Sequence, residues 1–243
     1  MNSILRRRRA LMGAKGEDLI LSDLLTLDGI MNTRNGHNAS ATKWEDLSGN
    51  DFDTAKVGAA GNLVWANNHA VYDATDRGQY ISHDFFVGRT AGSIELVVQI
   101  TGNGNRTING FQQGFVLSNR TGTDSSPKGF HSYSYNNGGI SSYVDNTSLG
   151  YSAASSGVAY ICWTFNGNTA DHYLNGEQSH TASITYADLT GKGTLRIGYE
   201  SISGGYVAFP HCHIYRIGIH SKAFTAAEVA DRYKRFKARF NIA

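Results

Sequence analysis

From residue 92 the apolar and polar positions fall into a two-residue alternation. In GSIELVVQI, Ile94, Leu96, Val98 and Ile100 take one side, and Ser93, Glu95, Val97 and Gln99 the other. Period two marks a strand with one buried face. Shorter stretches of the same character follow at GFVLSN, GFHSYSY, GISSYV, VAYICWTFN, DHYLN, EQSHTAS, TLRIGY and HCHIYRIGIH. They are separated by turn formers such as Asn136-Asn137-Gly138-Gly139, a spacing that predicts a sandwich of short strands. In DHYLNGEQSH the Asn175-Gly176 pair suits the two positive-φ positions of a type I′ turn, so a tight hairpin is expected there. The period changes only near the end. Thr225 with Glu228 three residues on forms a capping box, after which Val229, Tyr233, Phe236 and Phe240 share one helical face. That face is expected to lie on a sheet. Arg232, Lys234, Arg235, Lys237 and Arg239 take the other faces and read as a solvated surface.

Composition agrees. In 243 residues there are 28 Gly, 13 Tyr and only 2 Pro, which favours strands and turns over helices. With 40% apolar residues the chain can bury one full core, so a single all-β domain is the default. The formal net charge of +2 hides an uneven distribution: residues 1–16 carry +5, residues 17–224 carry −6 and residues 225–243 carry +3. An acidic body is a poor match to nucleic acid, whose binding scales with phosphates neutralised along a surface. Two cysteines, Cys162 and Cys212, fit a single bridge or two thiols, and two thiols are the expectation. No secretory signal is expected, because Ala10 to Ala14 is too short an apolar run and Lys15, Glu17 and Asp18 follow it. Nor is there a stretch of about 20 apolar residues to span a membrane.

Three stretches resemble the concanavalin A-like lectin/glucanase superfamily, in the laminin-G-like form found in bacteriophage structural proteins and bacterial surface proteins. They are LDGIMNTRNGHNASATKWEDLSGNDFD, VYDATDRGQYIS, and TLRIGY followed by FPHCHIYRIGIHSKAFTAAEVADRYKRFKARFNI. Together they bracket residues 27–242. The resemblance implies an all-β, two-sheet antiparallel jelly-roll sandwich over residues 20–243, with a short C-terminal helix. Residues 1–19 then form an N-terminal basic arm, and LRRRRALMGAKGE is similar to the start of phage virion proteins carrying such a domain. A fold of this kind hosts many activities.

Hydrolysis in the glucanase branch needs two carboxylates about 5 to 5.5 Å apart, set on one strand face as Glu-x-Asp or a variant. No Glu-x-Asp occurs, and Glu95, Glu177 and Glu200 lack an acidic partner two residues away, so they read as outward-facing polar residues and no catalytic residue is assigned. His211 and His213 share a strand face with Cys212 on the other, so the three cannot close on one metal; His172 and His180 add no supporting spacing. No metal is assigned. Asp46, Asn50, Asp51 and Asp53 offer oxygens to a calcium ion of the kind laminin-G-like domains hold, although Asp and Asn beside Gly equally form turns.

Sugar binding would use aromatic faces with amide groups beside them. His131, Tyr133 and Tyr135 share a strand face, with Asn136, Asn137 and Tyr143 near in sequence; these are the candidates, against the alternative that each ring simply packs on the sheet. Trp44, Trp65 and Trp163 are expected in the core or covering a sheet. For the arm, nucleic-acid contact and an anionic membrane are weighed against docking. Leu5, Leu11 and Met12 flank Arg6, Arg7, Arg8 and Arg9, which suits an anchor on a partner protein. The combined expectation is a non-enzymatic virion structural protein, homo-oligomeric, held by its arm to other virion proteins and displaying a lectin-like domain to a host surface glycan. The alternatives are a bacterial surface carbohydrate-binding module and an atypical glycoside hydrolase.

Overall fold

The computed structural model describes residues 20–34, 43–57, 63–66, 68–73, 78–104, 106–108, 111–123, 126–135, 138–153, 157–189, 193–202, 205–208 and 210–242. The arm residues Leu5 to Arg9, Leu11 and Met12 lie outside them. Two eight-stranded antiparallel sheets face each other, as the alternating pattern requires. The first runs Glu177–Ser183, Thr169–Leu174, Ala159–Asn166, Ala91–Gly102, His211–His220, His69–Asp73, Val64–Ala66, with Leu25–Asp28 also paired to His211–His220. The second runs Thr147–Ala153, Gly139–Val144, Phe130–Tyr135, Phe111–Ser118, Leu195–Ile197, Gln79–Ile81, Ala55–Lys56, with Arg106–Ile108 on Phe111–Ser118.

Ile94, Leu96 and Val98 meet Ile161, Trp163 and Phe165 in the central core, where Phe130, Ile140, Val144 and Leu149 arrive from the second sheet. Trp44 and Trp163 are fully buried, and Trp65 packs edge-on against Trp44 with ring centroids 5.2 Å apart. Cys162 and Cys212 are buried free thiols on opposite faces of the first sheet. Asn175 (φ 49°) and Gly176 (φ 85°) form the expected hairpin turn. A Cβ at Gly176 would sit 2.8 Å from the Tyr233 ring, so the turn also seats the C-terminal helix.

That helix, Ala226–Phe240, has the capping box the sequence announces: the Glu228 backbone N–H donates to Thr225 Oγ1 (3.3 Å) and the Thr225 N–H to Glu228 Oε2 (2.9 Å). Val229, Phe236 and Phe240 are buried with Val97, Tyr160, Cys162, Tyr173 and Tyr215 on the outer face of the first sheet, each large side chain contributing on the order of 2 kcal/mol. The helix corrects two expectations. The outward side of Ala91–Gly102 is covered, so the strand is buried on both faces, and Glu95 is fully enclosed instead of facing solvent. Nor are all the helix cations solvated. Arg232 donates to Glu95 from Nε (2.5 Å) and Nη2 (2.6 Å), and Arg239 donates to both oxygens of Asp28 at 3.1 Å. A six-residue helix, Gly29–Arg34, directly follows the strand Leu25–Asp28; its Met31 N–H donates to Asp28 Oδ1. Among the described residues no helix is long and apolar enough to cross a membrane.

One buried histidine makes the fold sensitive to acid. His172 sits between the sheets with Nε2 2.9 Å from Ser152 Oγ and Nδ1 2.6 Å from Ser179 Oγ. Burial, with His180 adding to it, lowers its pKa to about 4. The unfolded chain takes up this proton below about 6.5 and the folded chain only near 4. Stability from this group is therefore complete above pH 6.5 and lost progressively as pH falls to about 4. Denaturant midpoints measured from pH 7 to pH 4 will fall, and will fall less steeply for His172→Gln; equal slopes would rule the histidine out as the cause.

Candidate functional site: an aromatic platform on the second sheet

Phe130–Tyr135 directs Phe130 into the core and Ser132 and Ser134 onto neighbouring strand carbonyls, and turns His131, Tyr133 and Tyr135 outward. Register then assembles the surface. Tyr133 lies opposite Phe115 on one side and Ser141 on the other, and Ser141 lies opposite Tyr151. His131 lies opposite Ser118 and Tyr143. Four candidates named from the sequence, His131, Tyr133, Tyr135 and Tyr143, therefore do form one patch. Asn136, like Asn137, lies outside the described residues.

The rings of His131, Tyr133 and Tyr143 are nearly parallel: centroids lie 5.4 Å apart for His131–Tyr143, 5.5 Å for Tyr133–Tyr143 and 5.9 Å for His131–Tyr133, at interplanar angles of 9°, 6° and 14°. This is slipped stacking, in which near-parallel rings lie side by side with offset faces. Tyr135 breaks the series at 64° to Tyr133 and donates its hydroxyl to that of Tyr133 at 3.2 Å. Burial, then hydrogen bonds with Tyr135 and Tyr143, push the Tyr133 phenol well above its ordinary range. It stays protonated, a fixed donor and acceptor at the floor of the patch.

Tyr151, which the sequence reading passed over, completes the platform. It is 45% exposed, an unusual exposure for a large apolar side chain here. A Cβ at Gly139 would lie 2.1–2.2 Å from its hydroxyl and two ring carbons, so the hydroxyl end of the ring occupies space that only a glycine leaves. A signal for it existed: Tyr151 stands two strands from Tyr133, opposite the small residues of GISSYV.

The other sequence candidates do not build a second site. Asp46 Oδ1 accepts from the N–H groups of Thr26 (3.0 Å) and Ser48 (2.9 Å), and Oδ2 from Ser48 Oγ (2.7 Å) and the Phe52 N–H (3.1 Å). Asp53 takes Lys43 Nζ at 2.6 Å and the Asp46 N–H at 2.8 Å, while Asn50 donates to the carbonyls of Asp23 and Leu24. Asp51 adopts φ 60° in the turn. The loop acids organise the loop, as turn formers do. His211 and His213 face outward with Cys212 in the core; His213 stacks on His69 at 4.3 Å, and His211 Nδ1 lies 2.9 Å from Thr101 Oγ1. Among the described residues no three His, Cys, Asp or Glu side chains converge to hold a metal. Glu177 is exposed on an edge strand, whereas Glu200, expected as an ordinary outward residue, is buried, hydrogen-bonded to Ser118 and 3.6 Å from Arg196.

No family model and no curated protein matches the chain. Solved structures do resemble it. The Botulinum neurotoxin serotype D binding domain superposes with a TM-score of 0.60 at 16% identity, over 88% of this chain and 50% of that one. The binding domain of Botulinum neurotoxin DC in complex with SialylT gives 0.59 at 13%, over 88% and 51%. A Trypanosoma rangeli sialidase in complex with 2,3-difluorosialic acid gives 0.65 at 13%, over 95% and 38%. The chain spans about half the length of the toxin domains it matches and less of the sialidase. At these identities the likeness is one of fold, and the fold is the jelly-roll-like two-sheet sandwich of those binding domains.

Proposed function

We propose that the chain is a non-enzymatic carbohydrate-binding domain whose ligand lies on the aromatic platform of the second sheet. The observation that carries this reading is the half-exposed Tyr151 ring, its hydroxyl end seated against Gly139, beside the clustered Tyr133, Tyr135 and Tyr143 rings. An open ring face accepts the apolar side of a pyranose and the hydroxyls read its polar rim. Two of the similar folds are solved with 2,3-difluorosialic acid and with SialylT, which supports a glycan ligand. Retaining hydrolysis would need a second carboxylate about 5 to 5.5 Å from the first, and Glu200 at the platform's end is already committed to Ser118 and Arg196. The setting we propose is a bacteriophage particle, with residues 1–19 as the tether to other virion proteins and the platform turned to a host surface glycan; the resemblance of the arginine-rich start supports it.

Glycan-array binding of the full chain, with and without a calcium chelator, tests the site. Binding is expected to survive chelation, because the Asp46 and Asp53 carboxylates are occupied by backbone N–H groups, Ser48 and Lys43, and to drop at least tenfold in the Tyr133→Ala, Tyr135→Ala double variant. A folded protein that binds no glycan would leave an architectural role instead.

A further inference from the structure

The exposure of the outward side chains is graded across the second sheet. At the edge strand Tyr151 is 45% exposed, whereas His131 is 5% exposed and Phe115 only 2%. Phe115 and His131 point away from the core, and their cover comes from the side: the Arg120 guanidinium lies over the Phe115 ring, and the Tyr133 and Tyr143 rings stack on His131. The hairpin of Glu200–Ile202 and Gly205–Ala208 stands at this end of the sheet, next to Phe111–Ser118 and Thr121–Thr123. It is tied down through Glu200, which accepts a hydrogen bond from Ser118 Oγ and pairs with Arg196 at 3.6 Å. Arg196 Nη1 in turn donates to the Arg120 carbonyl at 2.5 Å, and the Arg120 guanidinium lies 5.7 Å over the Phe115 ring. At the hairpin's root, Tyr199 packs with Val57 and Tyr80 on the same outer face. The platform thus runs from a wall at Phe115 to an open margin at Tyr151, three strand spacings or about 14 Å.

We infer that the site recognises the free end of a glycan and not the interior of a chain, an inference that rests on the carbohydrate-binding reading above. A polymer lying across the sheet would have to continue through the space filled by Arg120 and the hairpin. A terminal sugar can abut that wall, with the following residues leaving over Tyr151. Glu200 and Arg196 act here as positioning residues, because they hold the wall and do not line the open platform.

The test is competition binding of the full chain with a set of soluble α- and β-linked polysaccharides and the two- to four-residue oligosaccharides cut from each. Inhibition is expected to follow the concentration of free chain ends, so that at equal mass the oligosaccharides compete at least tenfold better than the parent polymer. Inhibition that follows total sugar mass would overturn end recognition and leave the platform standing. If neither polymers nor oligosaccharides bind, the platform reading falls and this one with it. Glu200→Ala, checked for an unchanged near-UV circular dichroism spectrum, is expected to reduce the preference for ends by tenfold or more; a preference that survives it intact would overturn the assignment of the wall to the hairpin.

Discussion

Glu95→Ala is expected to destabilise the domain by about 4 kcal/mol, the cost of leaving buried cations without their counter-charge. Burial alone would raise the Glu95 carboxyl, but hydrogen bonds from Arg232 and His220 outweigh it and hold the group well below the usual carboxylate range. It gathers Arg232 Nε and Nη2, His220 Nε2 at 2.9 Å and the Tyr160 hydroxyl at 2.8 Å, with Arg216 Nη2 3.9 Å away. Arg216 is completely enclosed between Glu95 and Asp28, the latter at 3.7 Å, so removing Glu95 takes away one of its two neighbouring anions. The same carboxylate joins the central strand to the C-terminal helix, so loss of helix docking should accompany the fall in stability. Denaturant unfolding measures the first, and hydrogen exchange over Ala226–Phe240 the second. Glu95→Leu combined with Arg232→Met should recover part of the loss, since an apolar pair of similar volume removes both desolvation costs. A single alanine variant within 1 kcal/mol of the parent would show that the network is dispensable.

Why this network was not legible in the sequence is instructive. The alternation in GSIELVVQI gives two faces and names the residues on each, but period two is silent on which face another element will cover. Glu95 and Val97 stand on the outward side, as Tyr133 does on its strand, yet a helix covers the first pair and solvent reaches the second. The arginines could have been sorted better. Arg232 lies three residues after Val229 and four before Phe236, and Arg239 three after Phe236, so both border the apolar stripe, whereas Arg235 stands at neither spacing from any stripe residue. Capping box, hairpin turn and core strands were readable because each depends on residues close in the chain. The Gly29–Arg34 helix is too short to show a period. At the platform, His131, Tyr133, Tyr135 and Tyr143 were readable because they share a hairpin; the wall was not, since Glu200 reaches Ser118 across 82 residues.

Gly139→Ala should abolish most glycan binding without replacing any side chain of the platform. Its backbone is not among the positive-φ positions, so alanine is tolerated by the chain itself. The added Cβ would fall 2.1 Å from the Tyr151 hydroxyl and 2.2 Å from two ring carbons, and since these are the far end of a side chain, the ring will move and the sheet will stay. Stability should change by less than about 1 kcal/mol. Affinity should fall by about 2 kcal/mol, roughly thirtyfold, the usual loss when an aromatic anchor is removed, and Tyr151→Ala should lose as much. The two together should lose no more than either alone, because both act through one ring. Titration calorimetry on the best array ligand decides among the outcomes. If Tyr151→Ala binds weakly and Gly139→Ala normally, the ring is used but its seat against Gly139 is not required. If both bind normally, the ligand sits closer to the wall and the open margin serves only to let the rest of the glycan pass.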